Sequence, residues 1–299
     1  MANAPTLDFD AFVTRRKAER AEGAMEGEHD YSYILDRQTR ATFDSAKPIE
    51  LAIASAVRVF KEREKGALLG NAVKVSERQF SRIHGIGKEC AETLGILAPQ
   101  IYIVNSPTLN AGTYGTNEES FIVVHSALID AYTDEELRFV LGHESGHIHN
   151  SHVVYLTTLH FLHLVARAYL GALVMPAMIP LMAWSRRAEI TCDRAGMLCS
   201  KDEKIAARAL TKLVVGSKKL YEEFNLDAFL EQYEEGKEGI GRYMEAFASH
   251  PFLPKRVLAM RVFSESALYK KHAASSNLPT GLTMPEVDDR VKGLLKGDA

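Results

Sequence analysis

Two histidines four positions apart, with a glutamate between them, are the residues of this chain best suited to do chemistry: His143-Glu144-Ser145-Gly146-His147. A helix turns about 100° per residue, so His143 and His147 leave it on one face, one turn apart, where both imidazoles reach a single cation. Glu144 projects beside that face, off the metal but near enough to take a proton from water that the cation activates. Many zinc peptidases hold their ion with this spacing. The pattern also arises by chance in a small fraction of chains, so its surroundings decide.

A catalytic zinc ordinarily takes three protein ligands and leaves a fourth position open. On a continued helix His149 and His152 fall off the ligand face. The position six past His147, where the metzincins carry their third histidine, is Val153. A better candidate is Glu189, in the run Ser185 to Arg194. Asp193 follows one turn later, placed to accept a hydrogen bond from the free ring nitrogen of a ligating histidine. A Glu-x-x-x-Asp pair alone is usually a solvated helix face, and it gains weight here only because it follows the His-Glu helix. Cys192, between the two carboxylates, reads as a buried packing residue in preference to a thiol near the metal. His160 and His163 read as surface or packing residues of a helix, not as a second metal site.

The elements that must position these groups can be read around them. Thr133 and Glu136 have the spacing of a capping box, and Leu137, Val140, Leu141 and Ile148 supply an apolar stripe, so the metal helix starts at Thr133. Gly142 and Gly146 share one face of it and would let another backbone approach closely. Residues 1–46 read as an N-terminal helical arm, and Pro48–Lys65 as an amphipathic helix. A short strand is expected at Ala72–Ser76, then a helix from Ser76 to Leu94 interrupted near Gly85–Gly87. Gln100–Asn105 and Ser120–His125 alternate as strands, with a turn-rich passage, Asn110–Gly115, between them. Residues 150–185 read as a helical hairpin, and the helix bearing Glu189 runs on to Cys199. Further helices are expected at Lys201–Val215, Ser217–Tyr233 and Ile240–Ser249, with Glu231–Glu238 a solvated turn. Pro254 opens a helix to Lys271, and a tail, 276–299, ends in a short helix, Pro285–Leu295, that docks loosely.

In this order the chain resembles the M48 gluzincin peptidases, the group of HtpX-like and CAAX-prenyl proteases. The residues that carry the resemblance are Asn110-Ala111 with Gly115, the run Asp134–Leu137, His143-Glu144 with His147, Arg187-Ala-Glu189 through Asp193, and His250-Pro251 with Arg256, across roughly residues 70–265. The resemblance implies a zincin-type α+β fold, mostly helical, with a small antiparallel sheet, and endopeptidase chemistry within residues 47–275. It implies one zinc per chain held by His143, His147 and Glu189, with Asp193 supporting the ligands and Glu144 as general base. Asn110 and Ala111 would belong to an edge strand that binds substrate by strand addition. His250 would donate to the oxyanion, with Tyr243 a weaker alternative, and Arg256 would be a structural salt-bridge residue.

The composition narrows the class further. With 299 residues and 46% hydrophobic content the chain can bury a sizeable core. A formal net charge of −3, with scattered cations, offers no electrostatic case for nucleic acid. The first residues lack an apolar signal core, and three cysteines in no paired spacing suit a reducing compartment, so a cytoplasmic location is expected. Ala168–Ser185 is uncharged and about the minimum for a membrane span. Pro176 and Pro180 interrupt it, however, and a single span would strand Glu189 across a bilayer from His147. A hairpin packed on the core, on a second copy or shallowly on lipid is expected instead. The partner expected is a peptide or unfolded protein. Two other readings stay open: a zinc-holding scaffold without turnover, and a membrane-embedded processing protease.

Overall fold

The computed structural model of the chain describes residues 30–43, 52–53, 66, 70–116, 120–167, 171–236, 253–273 and 280–295. Its elements run α1 (Ile34–Phe43), β1 (Ala72–Lys74), α2 (Ser81–Leu94), β2 (Gln100–Val104), β3 (Ala111–Gly115), β4 (Ser120–His125), α3 (Ser126–Ala131) and α4 (Asp134–His149). The order continues with α5 (Val153–Val165), α6 (Gly171–Ser200), α7 (Glu203–Val215), α8 (Lys218–Glu222), α9 (Leu226–Gly236), α10 (Leu253–Ser264), α11 (Ala267–Ala273) and α12 (Met284–Leu294). The fold is a mostly helical α+β one, as the resemblance implies.

The sheet is mixed where an antiparallel one is expected. Its order is β1-β2-β4-β3, and β2 pairs parallel with β4, Tyr102 opposite Val123. The parallel pair arises because Asn110–Gly115, whose glycines read as a turn, forms β3 and fills the return between them, antiparallel to β4 with Thr113 opposite Ile122. β3 is therefore the outer strand.

Packing of α4 against α6 forms the centre of the molecule. Gly142 faces Gly196, and a Cβ on Gly142 would lie 3.1 Å from the Gly196 Cα and 2.7 Å from the Cys199 Cβ. A Cβ on Gly146 would meet the Ala195 Cβ at 2.7 Å. The two glycines of α4 thus permit the close approach their spacing suggests. The start of α4 is fixed by the expected capping box: the Thr133 amide donates to Glu136 Oε2 at 2.8 Å, and the Thr133 hydroxyl accepts from the Glu136 amide. Glu136 is buried, and Arg208 and Lys212 of α7 pair with it at 2.6 and 2.7 Å, so the acid serves as cap and anchor at once.

Several local expectations shift for physical reasons. α2 begins at Ser81, after Phe80 in the left-handed region, and runs unbroken through Gly85 and Gly87. Gly87 is where the helix touches the sheet, since a Cβ there would collide with the Ile101 side chain at 2.5 Å. Residues 231–236 continue α9, whose N-terminus the Asn225 side chain caps by accepting from the Asp227 and Ala228 amides. The helix from Pro254 breaks after Ser264, because Glu265 and Ala267 exchange backbone hydrogen bonds with Leu282. α12 is not loosely docked: Val287 and Val291 are fully buried, and Asp288 pairs with buried Arg194 at 2.8 Å.

The hairpin α5–α6 carries an apolar cluster of its own, built on Tyr155, Leu159, Leu181 and Trp184, with Phe43 of α1 inserted. Among the described residues no helix is long and apolar enough to cross a membrane.

Candidate metal centre

The side chains singled out on α4 and α6 meet in the structure. His143 Nε2 lies 3.5 Å from Glu189 Oε2, and His147 Nε2 lies 3.7 Å from Glu189 Oε1. All three residues are buried and line a cleft of about 590 Å³ that also reaches Glu144, Arg256 and β3. Donors arranged tetrahedrally about zinc, with bonds of about 2.0–2.2 Å, stand roughly 3.3–3.5 Å apart, so two imidazole nitrogens and a carboxylate at these separations fit that ion.

Each donor has a support. His143 Nδ1 bonds Asp193 Oδ1 at 3.0 Å, which leaves Nε2 directed at Glu189. Asp193 in turn accepts two bonds from Arg256, Nε to Oδ2 at 2.8 Å and Nη2 to Oδ1 at 2.6 Å, while Arg256 Nη1 reaches Glu189 Oε2 at 2.9 Å. One guanidinium thus holds both carboxylates of the Glu-x-x-x-Asp pair. Burial alone would lower the His143 pKa, but the bond to Asp193 and the charge of Glu189 outweigh it and raise it. Burial also works against the Arg256 cation, and the carboxylates of Asp193 and Glu189 more than compensate, so its pKa is raised.

Glu144 sits on the cleft side of α4. The Thr113 hydroxyl of β3 donates to Glu144 Oε2 at 2.6 Å, which ties the carboxylate to the outer strand. Sequence reasoning missed Thr113, since nothing local marks a threonine in a glycine-rich passage. Asn110 and Ala111 lie where β3 enters the cleft wall: Ala111 pairs with Val124, and the Asn110 carbonyl accepts from the His125 amide at 3.0 Å. At the far end of β3, Gly115 is bonded by Thr157 of α5.

His152 is the other residue whose place differs from the helical extrapolation. α4 stops at His149, and Ser151 in the left-handed region (φ 57°) turns the chain back. His152 Nδ1 then lies 3.2 Å from His147 Nδ1. Cys192 is fully buried against the glycine face of α4, the packing place expected for it. Burial and the charge of Glu189 push its thiol pKa well up. His160 stacks edge-on with Tyr114 at 6.1 Å, and neither it nor His163 joins a metal-type cluster among the described residues. His250, Pro251 and Tyr243 lie outside the described residues.

Comparison with known proteins places this arrangement. A model of peptidase family M48 matches residues 77–263, which include all the cleft residues named above. The chain is 37% identical over 227 residues to the plastoglobule-localized metallopeptidase 48, chloroplastic, of Arabidopsis thaliana, covering 70% of this chain and 64% of that protein. It is 24% identical over 238 residues to a protease HtpX homolog of Tropheryma whipplei, covering 69% of this chain and 81% of that one. With a protease HtpX of Alkalilimnicola ehrlichii it shares 28% identity over 220 residues, 62% of this chain and 67% of that one. No solved structure matches the chain. A family match over most of the chain, drawn around a pair of histidines and a glutamate that already face one another, leads to one assignment: the chain belongs to peptidase family M48.

Proposed function

We propose that the protein is a zinc-dependent endopeptidase in which His143, His147 and Glu189 hold the ion and Glu144 is the general base. The observation that carries this reading is the convergence of three buried donors at zinc spacing beside the Glu144 carboxylate, which lines the same cleft. Zinc, when bound, supplies a Lewis acid that activates water and polarises the scissile carbonyl. Glu144 takes the proton from the attacking water and delivers it to the leaving amine, and Thr113 keeps the carboxylate turned toward the cleft while it does so. Arg256 holds Glu189 and Asp193 in place. Strand β3, with Asn110 and Ala111 at its entrance, receives an extended peptide by main-chain bonding, which favours unfolded or flexible substrates of varied sequence.

The scaffold reading is weaker, because a structural zinc is normally closed by a fourth protein ligand and here three donors open onto a cleft. Leu164, Leu173 and Ile179 of the hairpin are exposed, and we assign them to shallow contact with a membrane surface, for which vesicle flotation is the check. The main test is Glu144→Gln. The variant should keep zinc at the parental stoichiometry and lose cleavage of an unblocked fluorogenic peptide by several orders of magnitude, with the parent inhibited by chelator. Equal turnover in variant and parent would remove Glu144 from the reaction.

A further inference from the structure

We propose that Asp36, on the N-terminal helix α1 and outside the segment matched by the family, is a positioning residue for the metal ligand His147 and acts through His152. This rests on the assignment of His147 as a ligand.

The tautomers follow from the contacts. His147 directs Nε2 at Glu189, so a neutral imidazole that binds metal through Nε2 carries its proton on Nδ1. That Nδ1 is 3.2 Å from His152 Nδ1, a hydrogen-bond distance, and His152 must then accept there. An imidazole that accepts at Nδ1 donates at Nε2, and His152 Nε2 lies 3.0 Å from Asp36 Oδ2. The three groups form one directed line, with the carboxylate fixing the His152 tautomer and His152 fixing that of His147. Asp36 is itself held: Trp184 Nε1 donates to Oδ1 at 2.8 Å and the Thr191 hydroxyl to Oδ2 at 2.7 Å.

The segment around Asp36 is bound to the same end of α4. The Ser32 hydroxyl donates to Asn150 Oδ1, the Asn150 side-chain amide donates to the Tyr31 hydroxyl, and Arg40 donates to the Asn150 carbonyl oxygen. A competing use of the same atoms exists. His147, His152 and Cys192, whose Sγ is 3.6 Å from His152 Nδ1, are close enough together to hold a cation themselves. Because His147 directs Nε2 at Glu189, its Nδ1 is left with the proton, which favours the hydrogen bond over that use.

The experiment measures zinc affinity by competition with a chromophoric chelator in the full chain and in Asp36→Asn, His152→Phe and the double variant. Phe43→Leu, in the same helix and packed on Tyr155 and Trp184 but touching none of the three groups of the line, is the packing control. Asp36→Asn and His152→Phe should each weaken zinc by on the order of ten- to a hundredfold. The double variant should be no weaker than His152→Phe, because the line is already cut. Phe43→Leu should lower the melting temperature and leave zinc affinity at the parental value. Parental affinity in folded Asp36→Asn overturns the proposal. So does a thiolate charge-transfer band in the cobalt-loaded parent, which would put the metal on Cys192. If the variants do not fold, nitrogen-15 NMR of the histidines in the parent decides: the line requires protons on His147 Nδ1 and His152 Nε2, and a proton on His152 Nδ1 refutes it. A parent that binds no zinc sinks the functional assignment, and the same NMR measurement still tests the hydrogen-bonded line.

Discussion

The two imidazoles that face Glu189 are held in different ways. His143 leans directly on Asp193, which shares Arg256 with Glu189, and every member of that set lies inside the family-matched segment. His147 leans on a second imidazole, His152, and the carboxylate beyond it is Asp36, outside that segment. One imidazole is therefore supported by a compact buried ion network, the other by a chain of oriented hydrogen bonds that ends on a separate part of the protein. The difference lies in what a single substitution leaves behind. In the first case it is a buried charge without its full set of partners; in the second, where Asp36 is the residue replaced, it is a ring with a freer choice of tautomer.

This contrast can be broken or sharpened by experiment. The largest effect should come from removing a ligand: His147→Ala is expected to abolish stoichiometric zinc, as metal analysis of the purified variant would reveal, and zinc retained at one per chain would move the site elsewhere. Next comes Asp193→Asn, which takes from Arg256 one of its two carboxylates. Breaking a buried pair of this kind costs about 3–5 kcal/mol, so denaturant unfolding of the metal-free variant should shift by an amount of that order. A shift as small as that of Asp36→Asn, which removes the charge at the end of the other line, would erase the asymmetry between the two supports. The smallest effect is assigned to Gly146→Ala, whose new methyl meets Ala195 and pushes α4 from α6. Overpacking of this sort costs about 1–3 kcal/mol and should appear in the melting curve with zinc stoichiometry unchanged.

What could be read in the sequence follows the same division. The histidine pair, Glu144, Glu189 and Asp193 are legible because helical periodicity relates residues three or four apart, and two such helices were enough to frame the centre. The glycine face of α4 is legible for the same reason. Thr113 is not, because its bond to Glu144 joins positions 31 apart through a strand whose glycines imitate a turn. His152 is lost for a different reason: helical geometry continued beyond Asn150 points it away, whereas one left-handed residue, Ser151, brings it back. Asp36 carries no local signal at all, since a single acid on a charged helix reads as solvated and only the tertiary contact with Trp184 and His152 marks it as buried. The mixed sheet is of the same kind, decided by pairing between strands and not by the pattern within any one of them.

Asp288 of α12 accepts a hydrogen bond from the Ile34 amide across 254 positions of sequence, two residues from Asp36. During vectorial synthesis α4 and α6 are complete well before this partner has been made, and contacts of such span are among the slowest to close. The brace behind His147 therefore receives this fastening only after α12 has emerged, so the cleft matures later than the two helices that frame it.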